Sequence, residues 1–205
     1  MTAKKKFTFL YIHGFRSSPE STKAKFLREF AVSRDIDFVC PPLSINPQIA
    51  AQQVKKVSEH IARDNVNQVV IGSSLGGFYA TWLMQTCTLN HNDITVLLNP
   101  VVMPSIKLKE NCEDLETSQV KSLDYEPFKP EYVRILQKME AQIGSKIKHP
   151  KNVLLVAAKG DEVLDWREMV SFYSECKHLI LDDSNHSITD FNLHWPKIFN
   201  FLAFS

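Results

Sequence analysis

Two apolar rhythms alternate along the chain. Short, nearly continuous apolar runs occur at residues 7–12, 36–40, 68–71, 94–98, 153–157 and 178–181. Their length and their β-branched and aromatic content predict strands. The lack of polar alternation predicts strands covered on both faces of a sheet. Between them, apolar residues recur three and four positions apart, as helices require. Residues 20–33 carry Ala24, Phe26, Leu27, Phe30 and Ala31 in this spacing, and Pro47 opens a helix to about Arg63 with Ile49, Ala50, Val54, Val57 and Ile61 on one face. The segment after residue 71 runs to about Cys87 and is apolar on most sides, which predicts a centrally packed helix. The last helix carries Phe191, Leu193, Trp195, Ile198, Phe199 and Leu202.

Strands separated by helices imply right-handed crossovers. The predicted class is α/β, with about six mainly parallel strands and helices on both faces. One interval breaks the rhythm. From about 101 to 150 no strand is apparent. Charges of both signs alternate from Lys107 to Lys129, and residues 131–143 then read as a helix. An insertion of that length predicts a cap over the C-terminal edge of the sheet.

Composition narrows the picture. A chain of 205 residues reads as one domain over 1–205. A net charge of +1 gives no reason to expect nucleic acid as a partner. Lys4, Lys5 and Lys6 read as a solvated tail. No run approaches the ~18 apolar residues of a membrane span, and no signal peptide is recognisable. The cysteines (Cys40, Cys87, Cys112 and Cys176) are scattered, and no histidines pair at metal-ligand spacing. Free thiols, no metal and a cytoplasmic location are the expectations.

The chemistry centres on Gly72-Ser73-Ser74-Leu75-Gly76, which follows a predicted strand and opens a predicted helix. This fits the Gly-x-Ser-x-Gly elbow, where small neighbours let a sharp turn present a serine hydroxyl. The spacing selects Ser74 over Ser73. A serine needs a base and a group that orients the base, each at the end of a later strand. Among seven histidines, His186 is late in the chain and just past a strand. His60, His91, His149 and His178 read as surface or boundary residues, His194 lies in the last helix four residues before Ile198, and His13 reads as a brace for its loop. Asp161 ends the fifth strand and is the expected acid. Asp165 reads as a helix cap, Asp182 and Asp183 as turn residues, and Glu162 as pointing elsewhere. Backbone N–H groups of Leu75 and Phe15 are the expected oxyanion donors. Phe15, Phe78 and Met103 are the expected pocket walls. No cofactor is required by this chemistry.

Five stretches carry a family resemblance: Tyr11 to Pro19, Gly72 to Leu83, Asn99 to Val102, Gly160 to Arg167, and Asn185-His186. In these the chain resembles the YqiA-type esterases, small bacterial members of the α/β-hydrolase superfamily. The resemblance implies a minimal hydrolase fold and a triad of Ser74, Asp161 and His186. It also implies activity on short acyl esters and acyl-CoA thioesters. The chain departs from the family between Met103 and Lys151, and in the turn from Asp183 to Ile188. The alternative from another class is a catalytically silent binding protein on the same fold.

Overall fold

The apolar runs assemble into a sheet in which every pairing is parallel. A computed structural model describes residues 7–63, 66–87, 90, 92–109 and 127–204. Lys4, Lys5, Lys6, His91, Cys112 and most of the charged 107–129 stretch lie outside these residues. The described strands are β1 (Phe7–Ile12), β2 (Asp37–Val39), β3 (Asn67–Ser73), β4 (Ile94–Leu98), β5 (Val153–Ala158) and β6 (Lys177–Leu181). The helices are α1 (Thr22–Ser33), α2 (Pro47–Arg63), α3 (Leu75–Thr86), α4 (described over 104–109), α5 (Pro130–Ile143), α6 (Trp166–Phe172) and α7 (Phe191–Phe204). β2 is shorter than its apolar run. It pairs only with β1, and Pro41-Pro42 after it has no N–H to extend the ladder.

Strand side chains alternate between two cores, as the pleat dictates. Leu10, Ile12, Val70, Leu97 and Leu155 face the side covered by α2, α3, α5 and α6. Phe9, Tyr11, Val69, Ile71 and Val96 face α1 and α7. That second side is closed by edge-to-face aromatic pairs, Phe30 with Trp195 at 5.1 Å and Phe26 with Phe191 at 5.4 Å. Within α3 only Trp82 and Thr86, four residues apart on one face, escape full burial, so its apolar circumference is covered by protein everywhere but along that stripe.

α5, the helix of the 101–150 segment, packs on α2 and α3 and buries Tyr132, Val133, Leu136, Met139 and Ile143. That is the place of a crossover helix on the sheet face. Its Glu140 accepts from the N–H and hydroxyl of Ser105, each at 2.7 Å, and so caps the start of α4. Phe128, just ahead of α5, reaches the C-terminal edge of the sheet and meets Phe15 edge to face at 5.5 Å.

The strand order β2-β1-β3-β4-β5-β6 places the site. From β1 the chain steps outward to β2, then returns to β3 on the other side of β1. The loops leaving β1 and β3 therefore diverge and open a crevice at the carboxyl ends of the strands. His13-Gly14-Phe15 lies on one side of it and Ser74 on the other.

Candidate active site

Ser74 sits between β3 and α3 with φ 54° and ψ −120°, a region that costs a non-glycine residue about 1–3 kcal/mol. The surroundings hold it there. Ser74 N–H donates to Leu98 O at 2.9 Å, and Ser74 O accepts from Gly77 N–H at 2.9 Å and Val101 N–H at 3.2 Å. The flanking glycines are required by close approach. A Cβ on Gly72 would lie 2.4 Å from Gly76 O, and one on Gly76 would lie 2.0 Å from Ile12 O. One on Gly77 would lie 2.7 Å from Pro100 Cβ.

The serine hydroxyl is 3.1 Å from His186 Nε2, and His186 Nδ1 is 2.8 Å from Asp161 Oδ2. Partner chemistry fixes the tautomer. The carboxylate can only accept, so Nδ1 carries the proton and Nε2 offers a lone pair to the serine. The Asp161 side chain is fully buried, and its other oxygen accepts from Val163 N–H at 2.9 Å and Leu164 N–H at 2.8 Å. Gly160 lets the two loops meet, because a Cβ there would lie 2.6 Å from Ser184 O.

The histidine loop is held by two residues whose roles the sequence did not suggest. Asn99, fully buried at the end of β4, donates from Nδ2 to the carbonyls of Asn185 and His186, both at 3.0 Å. Its Oδ1 accepts from Ala158 N–H at 2.8 Å. The signal for it was Asn before Pro at a strand end, since Asn tolerates the φ of 43° seen there. Glu162 accepts from His186 N–H at 3.0 Å, and that hydrogen bond holds its carboxyl below the usual glutamate range. Glu162 therefore points at the site instead of away from it.

The first loop is braced by His13, which is buried. Its Nε2 accepts from Leu43 N–H at 3.2 Å, and its Nδ1 lies 3.0 Å from Gly14 O, so Nδ1 donates. Burial pulls its pKa down and keeps the ring neutral. Gly14 approaches to the point where an added Cβ would lie 3.3 Å from Ser74 Cβ. Leu75 is the first residue of α3, so its N–H has no intrahelical acceptor and faces outward at the positive end of the dipole. Phe15 follows Gly14 on the opposite lip.

The remaining candidates are engaged elsewhere. Asp165 Oδ1 caps α6 through Arg167 N–H at 2.9 Å, and Asp182 pairs with Lys159 at 2.5 Å. Asp183, His60 and His149 are exposed. His178 lies 2.8 Å from Tyr173 O, and His194 lies 2.6 Å from Asp190. Among the described residues no cluster of His, Cys, Asp and Glu could hold a metal.

A cavity of about 710 Å³ opens beside Ser74 and His186 on the α1 and α7 side. Phe15 lines it, together with Tyr11, Lys23, Phe26, Phe191 and Asn192. Two expected wall residues are not there. Phe78 follows the elbow in sequence, but α3 turns its ring into the core beside Tyr79. Met103 is 43% exposed and lines a separate cleft with Ile106, Leu164 and Phe172. The walls come instead from the start of α1 and the start of α7, whose nearness to Ser74 depends on tertiary packing alone.

The profile of the uncharacterised protein family UPF0227 matches residues 8–203. The chain belongs to that family. UPF0227 is the YqiA group, and this member has the α/β-hydrolase fold. Solved structures share that fold at low identity. Est1E from Butyrivibrio proteoclasticus, bound to ferulic acid, is similar at 17% identity and a TM-score of 0.72, over 98% of this chain and 90% of its own. A monoacylglycerol lipase from Paleococcus ferrophilus matches at 13% identity and 0.68, over 97% and 95%. Mouse alpha/beta hydrolase domain-containing protein 10 matches at 15% and 0.64, over 98% and 92%. Among the described residues of this UPF0227 chain, no helix is long and apolar enough to cross a membrane.

Proposed function

We propose that this UPF0227 member is a serine hydrolase that cleaves carboxylic esters, acyl-CoA thioesters included, through an acyl-enzyme on Ser74. The observation that carries the reading is the continuous relay Ser74 Oγ to His186 Nε2 to Asp161 Oδ2, at 3.1 and 2.8 Å. Ser74 attacks the acyl carbonyl as His186 takes its proton. Asp161 holds the imidazole and stabilises the imidazolium that forms. The N–H groups of Leu75 and Phe15 receive the negative charge that develops on the carbonyl oxygen. His186 then returns the proton to the leaving alcohol or thiol. Water attacks the acyl carbon as His186 takes its proton, the bond to Ser74 Oγ breaks as His186 returns that proton to the serine, and the carboxylic acid leaves. The monoacylglycerol lipase and the ferulic-acid-bound Est1E, both of the same fold, support the class of reaction. The described cysteines, Cys40, Cys87 and Cys176, are free thiols, which supports a reducing compartment such as the cytoplasm.

The test is release of nitrophenol from 4-nitrophenyl butyrate by wild type and Ser74→Ala, with fluorophosphonate labelling in parallel. Wild type turns over and labels, and Ser74→Ala does neither, with a loss on the order of 10⁴–10⁶ in kcat. Equal rates from the two folded proteins sink the assignment. Absence of labelling in folded wild type favours a binding role.

A further inference from the structure

Lys23 stands where packing alone gives no reason for a cation. It occupies the first turn of α1, the positive end of the helix dipole, and that turn has no acidic side chain. The lysine is partly buried, and burial pulls its ammonium pKa down with no carboxylate opposing the shift. Among the described residues its hydrogen-bond partner is the carbonyl oxygen of Ser187, the neighbour of His186. A neutral carbonyl satisfies one of three N–H donors and leaves the charge uncompensated. Glu20, three residues away in the chain, is engaged by Lys25 at 3.8 Å and Arg28 at 3.2 Å.

The same side chain lines the cavity that holds Ser74 and His186. No Asp or Glu lines that cavity among the described residues. Ser17, Thr22 and Asn192 add neutral hydrogen-bonding groups, and Phe26 and Phe191 add apolar wall. At about 710 Å³ the space falls within the range that encloses a small organic ligand, so a reacting carbonyl and a remote charged group fit together.

We propose that Lys23 is a specificity residue that receives an anionic group of the substrate, so that the cavity takes esters bearing a carboxylate or phosphate remote from the scissile carbonyl. This rests on the reading of Ser74 as an ester-cleaving nucleophile. The anion supplies the counter-charge that the protein withholds, and the aromatic wall covers the carbons between anion and carbonyl.

Matched substrates test it. On the acyl side, 4-nitrophenyl hexanoate is compared with the 4-nitrophenyl monoester of adipic acid. On the alcohol side, 4-methylphenyl acetate is compared with 4-acetoxybenzoate and 4-acetoxyphenyl phosphate, which separates carboxylate from phosphate. At least one anionic ester exceeds its neutral partner in kcat/KM by about tenfold or more, as expected for one charge-assisted hydrogen bond. Lys23→Met removes that ratio and Lys23→Arg retains it. Lys23→Met melts at or above the wild-type temperature, because it removes an uncompensated charge. Anionic-to-neutral ratios that are the same in wild type and Lys23→Met overturn the inference and leave the ester reading standing. If wild type cleaves none of the esters, the ester reading fails. The anion site is then decided by thermal shift with millimolar adipate or phenyl phosphate, which raises Tm in wild type and not in Lys23→Met. A shift equal in both proteins, or absent from both, overturns it.

Discussion

The side-chain amide of Asn99 donates to the backbone carbonyl of His186 at 3.0 Å. Through it the end of β4 sets the position of the imidazole. The same amide binds Asn185 O, and its oxygen binds Ala158 N–H, so three segments converge on one buried side chain. Asn99→Asp keeps the acceptor for Ala158 and replaces the donor by an oxygen that repels both carbonyls. The expected outcome is a fall in kcat of about 10²-fold with KM little changed, because positioning is lost while the cavity stays intact. Steady-state kinetics on 4-nitrophenyl butyrate reads it. A lowered Tm with unchanged kcat reduces Asn99 to a structural residue.

Asp161→Asn separates orientation from folding. Asn retains an acceptor for Val163 and Leu164 N–H, which bind Asp161 Oδ1 at 2.9 and 2.8 Å. It presents an amide toward His186 Nδ1, which favours the tautomer that cannot accept from Ser74. A kcat loss on the order of 10⁴ is expected, with a Tm close to wild type. Full activity in the variant assigns the acid role elsewhere.

The glycines of the site divide into two classes. At Gly76 an added methyl would lie 2.0 Å from the backbone of Ile12, which has no room to yield. Gly76→Ala therefore fails to accumulate as folded protein. At Gly14 the nearest atoms are Ser73 O and Ser74 Cβ, both at 3.3 Å, which calls for a shift of a few tenths of an ångström. Gly14→Ala is expected to fold and to lose about tenfold in kcat, because the displaced group carries the nucleophile. Circular dichroism and kinetics on both variants check the contrast.

His13 gives an acid-side dependence. Burial lowers its pKa from the ordinary 6.5, so on acidification the unfolded chain takes up the proton before the folded one. Its contribution to stability is complete above about pH 6.5 and declines as pH falls from there towards the native value. Protonation also removes the Nε2 lone pair that accepts from Leu43 N–H, freeing the loop that carries Phe15. His13→Gln keeps an acceptor without a titrating group, and its Tm is expected to vary less as pH falls below about 6.5. Parallel slopes for wild type and variant rule this out.

The convergence of Ser74, Asp161 and His186 was legible because each position rests on a local rule. Gly72 and Gly76 flank the serine at a strand-to-helix junction, and Asp161 and His186 follow strands. Asn99 was not, because its role lies in bonds to residues 59 and 86 positions away. Lys23 carries no such local signal, and only the approach of α7 to α1 sets it at the cavity. Phe78 misled for the opposite reason. Nearness to Ser74 in the chain placed it at the site, whereas the turn of α3 carries it away. The 101–150 segment read as a cap because it lacks strands; of its described part, α5 packs on α2 and α3 while Phe128 meets Phe15 at the sheet edge.

The left-handed backbone of Ser74 has a consequence for how reactivity arises during folding. Locally, the Gly77 N–H bond to Ser74 O is only part of what holds that conformation. It depends on Leu98 from β4, on Val101 after β4, and on the bare Cα of Gly76 lying against β1. A chain with β1, β3 and β4 not yet aligned carries an ordinary, flexible serine of solution-like inertness. On the reading of Ser74 as the nucleophile, its activated geometry exists only once the centre of the sheet has closed.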